Sequence, residues 1–116
     1  MAKRKKQRRP REKAPTVDYT DPEGSVLTLR QTLSPATIAK VGEGLASAAA
    51  SQDDAWRRRS ELLFERLAVR WEIAGLPLDD QKMLLGRYRM ADADTQRWVR
   101  QTIAEHLEQH IPELAG

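Results

Sequence analysis

The first 13 residues of this chain cannot contribute to a core. Lys3, Arg4, Lys5, Lys6, Arg8, Arg9, Arg11 and Lys13 stand there against one acid, Glu12, for a net charge of +7. Such a block repels itself and has no apolar surface to bury, so it reads as a disordered arm and a ready contact for a polyanion. The whole chain of 116 residues carries +3, so residues 14–116 carry −4, from 12 basic and 16 acidic side chains. The basic character therefore belongs to the arm, and the body is mildly acidic.

What remains is enough for one modest domain, with roughly 60 to 70% of the unfolded surface removed from water. The chain has no Cys, which excludes disulfides, thiolate metal sites and cysteine nucleophiles. No run of about 18 apolar residues is present, so no transmembrane helix is expected. Arg8-Arg9 shares the doublet of a twin-arginine signal, but Pro10, Arg11, Glu12 and Lys13 follow where an apolar segment would be needed. The expected location is the cytoplasm.

Residues 1–23 read as the disordered arm, with Pro10, Pro15 and Pro22 and only Val17 and Tyr19 as sizeable apolar groups. Asp21-Pro22-Glu23-Gly24 has type I turn chemistry, with Pro second and Gly fourth. Residues 24–33 read as an extended segment or single strand, with Leu27, Leu29, Gln31 and Leu33 on one face at period two. A lone strand needs a partner, and the Val17–Thr20 segment across the turn is one candidate, another chain the other.

Residues 34–116 read as a helical domain. Ser34-Pro35 is a strong helix start, and Ile38, Val41, Leu45 and Ala48 form an apolar stripe. Gly42 and Gly44 weaken that helix or let a neighbour approach closely. Asp53 and Asp54 suit the start of a second helix running to about Ala74, with Gly75 to end it. Asp79 or Asp80 opens a third helix through about Met90, and Asp92 or Asp94 a fourth, ending near His110 because Ile111 precedes Pro112. The fold expected from sequence is all-α: a small four-helix bundle preceded by the arm and the extended segment.

On a helical projection, residues 56–74 carry two apolar stripes. Trp56, Leu63, Leu67, Trp71 and Ala74 form one, and Leu62, Val69 and Ile73 the other. Between them lies a basic stripe of Arg59, Arg66 and Arg70 with no acid at three- or four-residue spacing. It is expected either to find acids elsewhere in the bundle, such as Asp79, Asp92 or Glu105, or to face a bound anion or an interface.

The chemistry-bearing residues argue against an enzyme. His106 and His110 sit four apart, as two metal ligands can, but Leu107 stands where the zincin pattern needs Glu and no third ligand is evident. Asp53/Asp54, Asp79/Asp80 and Asp92/Asp94 lie where helices begin, so capping explains them. No serine sits in a nucleophile elbow, and Gly42-Glu43-Gly44 is not a phosphate loop. No catalytic residue, cofactor, metal site or small-molecule substrate is expected. Trp56 before Arg57-Arg58-Arg59, and Arg87-Tyr88-Arg89, interleave aromatics with cations as nucleic-acid surfaces do. The expected function is a non-enzymatic accessory protein that holds RNA or DNA electrostatically through Lys3 to Lys13. The alternative is a helical protein–protein interaction or assembly adaptor, as a homo-oligomer or with a protein partner, in which the arm is secondary.

Overall fold

The sheet, not the bundle, organises this protein. A computed structural model describes residues 15–49 and 55–115. The basic residues of the arm, and Asp53 and Asp54 as helix caps, lie outside the described residues. Strands β1 (Thr16–Thr20) and β2 (Val26–Arg30) are followed by helices α1 (Pro35–Ala49) and α2 (Ala55–Leu67). Strands β3 (Ala68–Ile73) and β4 (Leu76–Leu78) then complete a four-stranded antiparallel sheet in the order β1-β2-β3-β4. Helices α3 (Gln81–Met90) and α4 (Ala93–His110) close the domain, with a short 3-10 turn at Pro112–Leu114. The fold is α+β, which corrects the all-α helical bundle expected from sequence.

The first hairpin forms as its turn chemistry dictates. The N–H of Gly24 donates to the carbonyl of Asp21 at 3.0 Å, and Asp21 Oδ1 accepts the N–H groups of Glu23 and Ser25. The register sets Val17 opposite Leu29 and Tyr19 opposite Leu27, so one face of the hairpin is apolar. On the other face Thr28 donates its hydroxyl proton to Asp18 at 2.7 Å. Residues 16–20, placed in the disordered arm by their composition, are thus a strand, and β2 has a partner within its own chain on each side.

The largest departure is at residues 68–74. The second helix stops at Leu67 and the chain enters β3 with no intervening loop. Leu27 lies opposite Trp71 and Thr28 opposite Arg70, but Leu29 lies opposite Ala68, so Val69 is an extra, unopposed residue. This bulge puts Ala68 and Trp71, three apart, on the same buried face. A three-residue spacing of buried groups is what a helix would show. The two-striped helix of residues 56–74 therefore does not exist, and neither does a single Arg59–Arg66–Arg70 stripe. Gly75 ends no helix; with Ala74 it forms the two-residue turn of the β3–β4 hairpin, with φ of +54° and +77° for Ala74 and Gly75.

Three of the helix starts are those the sequence marks. Ser34 Oγ accepts the N–H of Thr37, Asp80 caps α3 by accepting from Met83, and Asp92 caps α4 by accepting from Thr95. The apolar face of the sheet packs under the helices, with Leu27, Leu29, Phe64, Leu67, Trp71 and Val99 fully buried. Phe64 is the hub: it stacks on Tyr88 with centroids 5.0 Å apart and tilts against Trp71 at 5.7 Å. Helices α1 and α2 pack closely at Gly44, where an added Cβ would meet Leu62 Cδ2 at 2.8 Å. Among the described residues, no helix is long and apolar enough to cross a membrane.

Candidate nucleic-acid interface

Trp56, in the first turn of α2, is half exposed, which is unusual for the largest apolar side chain. It is the wall shared by two surface hollows. The first, about 320 Å³, is lined by Arg57, Glu61, Tyr88, Arg89 and Gln96 together with Trp56. The second, about 180 Å³, runs along Arg59, Ser60 and Arg100 to the core residues Leu63 and Ile103. Guanidinium carbons approach the indole ring from Arg100, at 4.9 Å to the centroid, and from Arg57, at 5.5 Å. Each is within cation–π range.

Among the described residues, four arginines line the two hollows, and the one carboxylate there, Glu61, pairs with Arg89 at 2.8 Å. That pairing holds the Arg89 proton above its usual affinity, through the hydrogen bond first and the charge of Glu61 second. Arg59 donates to the carbonyl of Leu114 at 3.1 Å, which anchors it without neutralising it. An exposed indole with guanidinium groups beside it is an arrangement on which a nucleobase can stack while phosphates meet the arginines.

The stripe of Arg59, Arg66 and Arg70 is dispersed. Arg59 reaches the C-terminal turn, while Arg70, on β3, pairs with Glu72 of the same strand at 2.8 Å. Arg66 is exposed and makes no ion pair or hydrogen bond with a described residue. None of the acids proposed from sequence for this stripe pairs with it. Tyr88, the aromatic of Arg87-Tyr88-Arg89, is buried against Phe64 and offers no exposed ring. Arg100 was missed by the sequence reading: it is half-buried on α4, and only the tertiary fold brings it to Trp56.

His106 is accounted for structurally. His106 is fully buried, its Nε2 is 2.8 Å from the carbonyl of Arg30, and its Nδ1 is 2.6 Å from the hydroxyl of Tyr19. A carbonyl only accepts, so Nε2 carries the proton and Nδ1 accepts from Tyr19. No lone pair is left for a metal. Among the described residues, no group of three or more potential ligands converges. The capping carboxylates Asp80 and Asp92 are occupied by backbone N–H groups, which holds Asp92 below its usual pKa.

No protein-family model, curated protein or solved structure matches this chain.

Proposed function

We propose that this protein is a non-enzymatic cytoplasmic accessory factor that holds nucleic acid, with the arm gripping phosphates and the Trp56 surface receiving an unpaired base. The observation that carries the reading is the charge partition: eight cations within 13 residues, joined to a body of net −4. A mildly acidic body has no general affinity for a polyanion, so the arm supplies the electrostatic term. The arm has no aromatic residue and reads phosphate without sequence. Trp56 with Arg57 and Arg100 is the one described surface where an exposed aromatic ring and guanidinium groups converge. It adds contacts that favour single strands over duplex.

The test is fluorescence anisotropy of the full-length protein on duplex and single-stranded oligonucleotides at several salt concentrations. Engagement of ~6 to 8 phosphates gives a log–log slope of about −5 to −7 on duplex. Removal of residues 1–13 should flatten that slope and abolish most of the affinity. Equal duplex binding by the truncated protein would overturn the reading.

The adaptor alternative draws less support than its sequence arguments suggested. The strand awaiting a partner is paired on both sides by β1 and β3, and the two-striped helix is a helix followed by a strand. The close approach allowed by Gly44 is used by α2 of the same chain.

A further inference from the structure

Away from Trp56, a cleft of about 530 Å³ opens between α3 and the β3–β4 hairpin. Its size falls within the range of about 300–1,000 Å³ usual for small-molecule sites. Trp71, Ile73, Leu78, Met83 and Met90 supply apolar walls, and Arg87 and Asp92 are its charged members. Two observations set it apart from an incidental groove. Met83 and Met90 remain 59% and 89% exposed at its edge, two flexible thioethers left in water rather than packed. The indole N–H of Trp71, a residue only 1% exposed, is buried with no hydrogen-bond acceptor. A buried unpaired donor is costly, and a polar group brought in by a ligand is one remedy.

The charges indicate the ligand's polarity. Arg87 is exposed and has no ion pair or hydrogen bond with a described residue. Asp92 is differently placed, because its Oδ1 already accepts the N–H of Thr95 at the start of α4. The charged group without a hydrogen-bonding partner among the described residues is thus the Arg87 guanidinium, while Asp92 keeps its negative charge at the start of α4. One guanidinium over an apolar floor matches a single negative charge, as on a carboxylate, better than the double charge of a phosphate monoester.

We propose that this cleft binds a small apolar carboxylic acid, its hydrocarbon portion against Trp71, Ile73 and Leu78 and its carboxylate on the Arg87 guanidinium. Met83 and Met90 fold over the ligand, and a carboxylate oxygen of the ligand accepts from the Trp71 indole N–H. The site is independent of the nucleic-acid reading, since it shares no residue with the Trp56 surface.

The test uses the full-length protein and two probes, octanoate and 4-phenylbutyrate, with 1-octanol and octylammonium as uncharged and cationic controls. Binding is read from the Trp71 indole N–H resonance, assigned with Trp56→Phe and Trp98→Phe variants. A saturable shift of that resonance is expected, with octanoate about tenfold tighter than octanol. Arg87→Gln should remove that advantage, whereas Arg66→Gln should not. Asp92→Asn preserves the helix cap while deleting a repulsive charge, so octanoate should bind it at least as well. The proposal is overturned by the absence of a saturable shift, by equal binding of octanol or octylammonium, by an unaltered Arg87→Gln, or by weaker octanoate binding in Asp92→Asn.

Discussion

The hydroxyl of Tyr19 sits 2.6 Å from Nδ1 of His106 and ties the first strand to the last helix. The other ring nitrogen of His106 donates to the carbonyl of Arg30, so one imidazole bridges β1, the end of β2 and α4. The rings of Tyr19 and His106 meet edge to face, and His110 lies 4.8 Å from His106 on its own helix. Tyr19→Phe keeps the ring and removes one hydrogen bond, so it should lower unfolding free energy by about 0.5–1.5 kcal/mol. Urea denaturation measures it, and an unchanged midpoint would show the bond to be without net effect.

The same bridge gives stability a pH dependence. Burial, the largest influence, lowers the His106 pKa below its usual 6.5, and His110 lowers it further, while the carbonyls of Arg30 and Gln31 pull it back up. The unfolded chain therefore binds this proton more readily than the folded one. Stability from this group is complete above pH 6.5 and falls as pH drops from there toward the lowered folded value. Denaturation midpoints taken on both sides of that window should show the decline, and His106→Gln should flatten it. A wild-type midpoint that is constant or rises on acidification through the window would contradict the assignment.

Gly42 and Gly44 lie one turn-fraction apart on α1 but should respond oppositely to enlargement. A Cβ at Gly42 meets nothing within 4 Å, so Gly42→Ala should stabilise by about 1 kcal/mol through helix propensity. At Gly44 the same atom presses on the tip of Leu62, which must give way. Gly44→Ala should gain clearly less, and Gly44→Leu should destabilise. Thermal denaturation of the three variants separates the effects, and equal gains at both positions would refute the packing argument.

Ala74 is held at φ +54° in the β3–β4 turn, a conformation that disfavours a side chain with a simple Cβ. Asn-Gly is the preferred pair for a two-residue turn with both φ positive, and Gly75 already supplies the second position. Ala74→Asn should therefore stabilise by about 0.5–1 kcal/mol. A loss of stability in the same denaturation assay would mean that the turn is shaped differently.

Replacing Trp56 by Ala should weaken binding to single-stranded oligonucleotides by about 1–3 kcal/mol, with little change on duplex. Anisotropy with both oligonucleotides gives the comparison. Equal losses on the two would remove Trp56 from base stacking.

The sequence carried most of the punctuation of this fold and lost one sentence. Ser34, Asp80, Asp92 and Ile111 mark helix ends through local chemistry, and Asp21 to Gly24 marks a turn, so these were readable one residue at a time. The β1–β2 pairing was half readable: Val17 to Thr20 stood as one candidate partner for the strand, while the composition of residues 1–23 assigned the same segment to a disordered arm. Residues 68–73 were not, for a specific reason: the bulge at Val69 converts a strand's alternation into a three-residue interval between Ala68 and Trp71. That interval continued the rhythm of Leu63 and Leu67 and hid the change of structure. The Trp56 surface was half legible. Its arginine run is local, but Arg89 and Arg100 reach it only through packing of α3 and α4, and Tyr88 is withdrawn into the core by Phe64.

Because α2 passes into β3 at Leu67–Ala68 without a connecting loop, this seam has no slack. Inserting one residue there would rotate the helix by about 100° relative to the strand and send alternate strand side chains to the wrong side of the sheet. Phe64 and Trp71 flank the seam and would lose their common partner surface together. Insertions are thus expected to be tolerated at other connections and not at the Leu67–Ala68 join, which behaves as a fixed pin rather than a splice point.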